Sequence, residues 1–230
     1  MASVLDVFNL ALTRIDVSTT IQSVNDTLPE AGACKRFYDF ARKRVLEKAY
    51  WDFATKAAAL ALVLDQSTLS VASKIAFPGW RYVYSRPVDA VRCLAVTTQF
   101  GLRVNPNTRW WYDISNVLQT GPYRPPWRQM IDTLNPAGAG NAIDILTDQD
   151  SAWLVYVQDV PNVNLWSAAF LDCVAWNLGA LIAGPLSANQ TSKASALKMA
   201  ETSITSAVML ALNEQQPDPY PSSPAIVARN

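Results

Sequence analysis

Ala31–Ala54, AGACKRFYDFARKRVLEKAYWDFA, is the stretch on which the architecture turns. Cys34, Phe37, Tyr38, Ala41, Val45 and Ala49 recur at steps of three and four, while Lys35, Arg36, Asp39, Arg42, Lys43 and Glu47 fill the rest of the wheel. The spacing predicts a helix with one buried and one charged face. It closes on the aromatic residues of Trp51-Asp52-Phe53 and gives way to strands.

Upstream, Thr27-Leu28-Pro29-Glu30 has the form of a capping box with Pro near the first turn, which predicts where this helix starts. Ser3 with Asp6 caps an earlier helix whose inward residues are Val4, Phe8, Ala11, Leu12 and Ile15. Downstream, Lys56–Leu64 is a mixed Ala, Leu and Val run. Trp80, Tyr82 and Tyr84 then alternate with Arg81, Val83 and Ser85 at the period of a strand, which Pro87 ends, and Val91–Thr98 is its expected partner. From Gln99 to Ile143 turn formers dominate, with strand-like pieces at Arg109–Ile114 and Arg128–Leu134. Ala142–Leu146 and Ala152–Gln158 suggest a hairpin across Thr147–Ser151.

Two helices follow. Leu165–Ala183, LWSAAFLDCVAWNLGALIA, nears membrane-spanning length, but Asp172 and Asn177 interrupt it and no Lys or Arg flanks it, so it is expected as a central buried helix stopped by Gly184-Pro185. The last helix, capped by Asn189 or Thr191, is expected to face inward with Leu197, Ala200, Ile204, Ala207, Val208 and Ala211. Pro217, Pro219, Pro221 and Pro224 then hold an extended tail that ends in Ala225-Ile226-Val227. The expected fold is α+β: an antiparallel four-helix bundle (residues 1–54 and 160–216), an inserted antiparallel β region with long loops (55–159), and an extended C-terminal tail (217–230).

With 230 residues, half of them apolar, the chain is long enough to bury a sizeable core without staples. Lys+Arg and Asp+Glu both number 19, so bulk positive charge does not drive it onto a polyanion. The charges are nevertheless separated. Lys35, Arg36, Arg42, Lys43, Arg44 and Lys48 crowd one helix, whereas Arg128 to Lys193 encloses Asp132, Asp144, Asp148, Asp150, Asp159 and Asp172 with no intervening base. Such polarity suits head-to-tail packing of identical subunits, with Arg36, Arg42, Lys43, Asp148 and Asp150 as candidate interface residues.

Chemistry is sparse. No His is present, which removes the commonest general base, His-dependent triads and His-based metal sites. Cys34, Cys93 and Cys173 lie far apart in apolar patterns and read as buried hydrophobes in a reducing compartment. No phosphate-cradling glycine motif occurs, and Asp148-Gln149-Asp150-Ser151 is only a fragment of a calcium loop. Neither metal nor cofactor is expected. The N-terminus lacks the basic start of a secretory signal. In the loop-rich part Trp110, Trp111, Tyr112, Tyr123 and Trp127 stand beside Arg109, Arg124 and Arg128, a composition suited to a protein interface, to base or sugar stacking, or to a small β core.

The ordered set ALTRI at 11–15, A-x-x-C-K-R-F-Y-D-F-A-R-K-R-V-L from Ala31, W-D-F-A from Trp51, W-R-Y-V-Y-S-R-P-V-D from Trp80, the buried helix before Gly184-Pro185, and S-P-A-I-V-A-R at the end resembles the head-to-tail adaptor family of tailed bacteriophages, which includes tail tubular protein A. The resemblance implies a ring, normally a dodecamer, between the portal protein and the tail nozzle protein, continuing the channel through which genomic DNA passes without specific binding. It implies a virion protein of the head–tail junction, made in the host bacterial cytoplasm, with no membrane partner and no enzyme activity. Carried onto this chain, it makes Pro221, Pro224, Ile226, Val227 and Arg229 the portal-docking candidates and Trp110, Trp111 and Trp127 the nozzle contact. The rival readings are a cell-wall hydrolase using carboxylates such as Glu30, Asp39, Asp148 and Asp150, and a carbohydrate-binding module using the Trp residues.

Overall fold

A computed structural model describes residues 2–66, 79–97, 103–104, 111–112, 126–131, 143–186 and 190–214. Helix α1 (Val4–Thr13) starts as the sequence predicts: the Ser3 hydroxyl accepts from the Asp6 N–H, and the Asp6 carboxylate accepts from the Ser3 N–H at 2.7 Å. Helix α2 (Pro29–Lys48) starts where Pro29 predicts, but the capping box does not form. Leu28 occupies the N-cap without a side-chain hydrogen bond, and the Glu30 carboxylate instead accepts from the Thr19 hydroxyl at 3.1 Å.

After α2 the chain lays down β1 (Thr55–Ala59), β2 (Ala61–Asp65), β3 (Tyr82–Ser85), β4 (Ala90–Thr97), a two-residue pair β5 (Arg103–Val104) and β6 (Trp111–Tyr112), then β7 (Trp127–Ile131), β8 (Ile143–Thr147) and β9 (Trp153–Gln158). Helices α3 (Ala168–Ile182) and α4 (Gln190–Glu214) follow. The strands form two antiparallel sheets, ordered β1-β9-β4 and β2-β3-β8-β7. Three connections step from one sheet to the other: Leu60 between β1 and β2, Arg86–Asp89 between β3 and β4, and Asp148–Ala152 between β8 and β9.

Two expected pairings are therefore corrected. β8 and β9 are not a hairpin, and β4 pairs with β9 rather than with β3. Ser151 takes a left-handed backbone (φ 51°) in the β8–β9 turn, and Tyr84 Oη donates to the Gln149 carbonyl at 2.9 Å from within the sheet below, so the chain leaves one sheet and enters the next.

The larger correction concerns the architecture. The chain is not a four-helix bundle with an inserted β region: three helices gather around α3, and two antiparallel sheets, seven strands in all, stack on them. The inner sheet shares its core with the helices. Val157 of β9, with Val91 and Leu94 of β4, packs among Tyr38, Val45, Trp51, Phe170 and Leu178. The opposite face of the same strands, Leu154, Tyr156, Val96 and Ala90, packs against Tyr82, Tyr84 and Ile145 of the outer sheet. Leu154-Val155-Tyr156-Val157 are all buried, the continuous apolar run of a strand covered on both sides. Helix, sheet, sheet is the layer order.

Within the helical layer, α3 is buried on most sides through Phe170, Cys173, Val174, Leu178 and Ile182, as its sequence predicts. Helix α4 meets it with Ser192, Ala196, Ala200, Ile204 and Ala207. The expected Leu197 points outward instead, because this face uses small residues that let the two helices approach closely; Asn177 Nδ2 reaches the Ala200 carbonyl at 3.4 Å. No helix among the described residues is long and apolar enough to cross a membrane.

Candidate interaction surfaces

The joint between α2, α3 and the inner sheet is an aromatic cluster closed by one ion pair. The Phe170 ring sits 4.8 Å from Trp51, 4.9 Å from Trp166 and 5.0 Å from Phe53, mostly edge to face. Both indoles are satisfied: Trp51 Nε1 donates to the Val45 carbonyl and Trp166 Nε1 to the Val160 carbonyl. Beside them Arg42, only 5 % exposed, lays its fork on Asp159, with Nε to Oδ1 at 2.9 Å and Nη2 to Oδ2 at 3.0 Å, while Nη1 donates to Asp39. Burial works against the guanidinium charge, but the Asp159 carboxylate, helped by Asp39, outweighs it and holds the Arg42 pKa above its ordinary value.

Arg42 is thus committed inside its own chain, not presented to a neighbour. Sequence reasoning placed it on the charged face because a wheel cannot show a partner 117 positions away. Lys43 lies at the rim of the same pair, 3.8 Å from Asp159, and is exposed along with Arg36. Asp150 and Asp148 sit on the β8–β9 turn, both exposed; Asp148 Oδ1 accepts the Arg81 N–H at 2.9 Å, and Asp150 accepts from the Ser151 hydroxyl at 3.4 Å.

A second polar cluster ties the β3–β4 turn to the inner sheet. Tyr156 Oη donates to Asp89 at 2.9 Å and Lys56 Nζ to the other carboxylate oxygen at 3.1 Å. Partial burial opposes ionisation of Asp89, yet these two donors prevail and lower its pKa.

Two of the aromatic candidates fall on described strands. Trp127 opens β7 opposite Thr147 and is half-buried against the inter-sheet core; Trp111 lies in β6 opposite Val104; Trp110 lies outside the described residues. Pro221, Pro224, Ile226, Val227 and Arg229 also lie outside them.

The carboxylates singled out for hydrolysis are not assembled for it. Glu30 and Asp39 lie nine positions apart on α2, about 13 Å along the helix axis, wider than the ~5–10 Å two carboxylates need around a glycosidic bond. Asp148 and Asp150 belong to the turn between the sheets. Among the described residues no group of three or more His, Cys, Asp or Glu is placed to hold a metal. All three cysteines are free thiols, and burial raises Cys34 to about 12 and Cys173 to about 11, which keeps both protonated and inert.

What the sequence did not single out is the exposed apolar set. Phe40 on α2 is 59 % exposed, and Leu62 and Val63 on β2 are 54 % and 45 % exposed. Phe40 was detectable as the one aromatic residue within a charged stripe. Comparison with known proteins finds no family model that matches the chain and no curated protein that matches its sequence.

Proposed function

We propose that this chain is a structural head-to-tail adaptor of a tailed bacteriophage, assembling as a ring between portal and tail nozzle at the head–tail junction and continuing the DNA channel. The observation that carries the reading is the place of the resembling motifs in the fold. Cys34, Tyr38, Ala41, Arg42 and Val45 of the first motif, Trp51 and Ala54 of the second, and Tyr82, Tyr84 and Asp89 of the third all belong to the helix–sheet joint or to the contact between the sheets. The likeness therefore rests on residues that pack the core and join the layers rather than on scattered surface matches.

The rest of the chemistry suits such a part. A conduit must let a polyanion slide, and a neutral chain without a dense basic groove adds little salt-dependent grip on phosphate. The carboxylates named for a hydrolase are spent on structure or stand apart.

The C-terminal tail is the portal-docking element in this reading. Deleting residues 217–230 is expected to leave secondary structure and melting temperature unchanged, because four prolines in that segment preclude core periodicity, and to weaken co-sedimentation with portal protein of the same phage by at least tenfold. Undiminished portal binding by the shortened chain contradicts this assignment.

A further inference from the structure

Two surfaces on opposite layers of the molecule pair exposed apolar side chains with charges of opposite sign. On α2 the buried face is centred on Tyr38, Val45 and Arg42, and at about 100° per residue the opposite pole of the helix falls at Phe40. Arg36 and Glu47 lie within about 40° of it and Lys43 within about 60°. A phenylalanine therefore stands at the centre of the outward face, more than half exposed, inside a mainly basic rim. Asp39, the acidic neighbour, is already paired with Arg42.

The second surface is β2, an edge strand of the outer sheet. Ala61, Leu62 and Val63 are all exposed, and no described strand pairs with the outer edge of β2. The pairing with β3 slips between Leu62 and Leu64, which makes Val63 a bulge. Such a bulge spoils continuous addition of another strand and pushes side chains outward instead. The acidic β8–β9 turn is linked to the two ends of β2. At the far end of β2, Gln66 N–H donates to the Arg81 carbonyl while Asp148 accepts the Arg81 N–H; at its start, Leu60 N–H donates to the Ala152 carbonyl. Asp148 thus lies across Arg81 from the end of β2, with Asp150 following on the same exposed turn, and the Arg81 guanidinium is turned onto the Tyr82 ring, 4.9 Å away.

One patch is an apolar anchor with a mainly basic rim, the other an apolar bulge whose strand is tied at its ends to an acidic turn. They cannot meet within one chain, because the inner sheet separates the layer of α2 from the layer of β2. We infer that Phe40 of one copy seats on the Leu62–Val63 bulge of a second copy, with Arg36 and Lys43 facing Asp148 and Asp150. This contact is heterologous, so each copy has one patch of each kind free to continue the chain of contacts. The inference deepens the ring proposed above by naming its subunit contact, and its test reads self-association without portal.

The experiment is sedimentation velocity on the full chain and two variants, Phe40→Asp and Leu62→Asp, each checked for an unchanged circular dichroism spectrum and melting temperature. The wild type is expected to self-associate, more weakly as salt rises. Each variant alone is expected to associate at least about thirtyfold more weakly, as for anchors at interface centres. An equimolar mixture of the two retains one intact contact, Phe40 of the Leu62→Asp copy on Leu62 of the Phe40→Asp copy, and is expected to form pairs that grow no further. A wild type that stays monomeric up to about 1 mM, the weak end of measurable affinity, overturns the contact; so does a variant that assembles normally, or a mixture that stays monomeric. Portal binding is scored separately. A chain that pairs through Phe40 but ignores portal keeps this contact and sinks the adaptor reading, while a monomer that binds portal does the reverse.

Discussion

Arg42 shows how a single side chain connects the layers. Its guanidinium satisfies both oxygens of Asp159, a residue just beyond β9, and so locks α2 to the inner sheet where the aromatic cluster ends. Taking away one partner leaves the other partly buried and uncompensated, which is the expensive way to break such a pair. Arg42→Ala is expected to lower stability by about 3 kcal/mol, seen as a fall in the urea midpoint with an unchanged slope. Arg42→Lys should recover only part of this, since a point charge cannot reproduce the fork. A midpoint that does not move refutes the role given to the pair. At this scale the sequence was legible along the apolar period of α2, where Cys34, Tyr38, Ala41 and Val45 are buried as their spacing requires, but not at Leu197 of α4, which is exposed. Arg42 was read on the wrong terms and Phe40 was passed over, because hydropathy assigns a charge to solvent and has no place for an aromatic ring on a charged face; a distant partner turns the one inward, and the other stands exposed.

Helix crossings are decided by small residues, and the α1–α3 contact turns on Gly179. A methyl group built there would lie 3.1 Å from the Ala11 carbonyl oxygen and 3.4 Å from Ile15 Cγ2, so a backbone atom blocks the space. Gly179→Val is expected to push α1 off α3 and reduce stability by about 1–3 kcal/mol in a thermal melt. Gly179→Ala should be milder, because the gain of about 1 kcal/mol in helix propensity offsets part of the crowding. A valine variant as stable as the wild type rules out the close approach. The starts of α1 and α2 and the end of α3 could be read from a cap, a proline and the Gly184-Pro185 stop, whereas the end of α2 at Lys48, short of Ala54, could not. Strand partners could not. Alternation in β3 and short apolar runs in β8 and β9 mark each as a strand, but nothing local states that β8 and β9 belong to different sheets; that follows from where the Asp148–Ala152 turn is anchored.

Over the whole molecule, the shared core has a thermodynamic consequence. An inserted domain with its own core can unfold apart from the bundle that carries it, whereas here the buried cluster runs without a break from α1 through α3 to Val157 and Val160 beside the inner sheet. Urea unfolding followed by far-ultraviolet circular dichroism and by tryptophan fluorescence is expected to give coincident single transitions. Two separated transitions show that the layers fold independently and count against this account. The residues alone determined the class of elements, their order, the buried central helix and the scarcity of catalytic groups, because helical and strand periods, caps, prolines and the lack of His are written locally in the chain. Only tertiary structure decided that seven strands divide into two stacked sheets and that the inner one completes the helical core. It also turned Arg42 inward and Phe40 outward. Those outcomes depend on partners far away in sequence, and a local pattern has no means to name them.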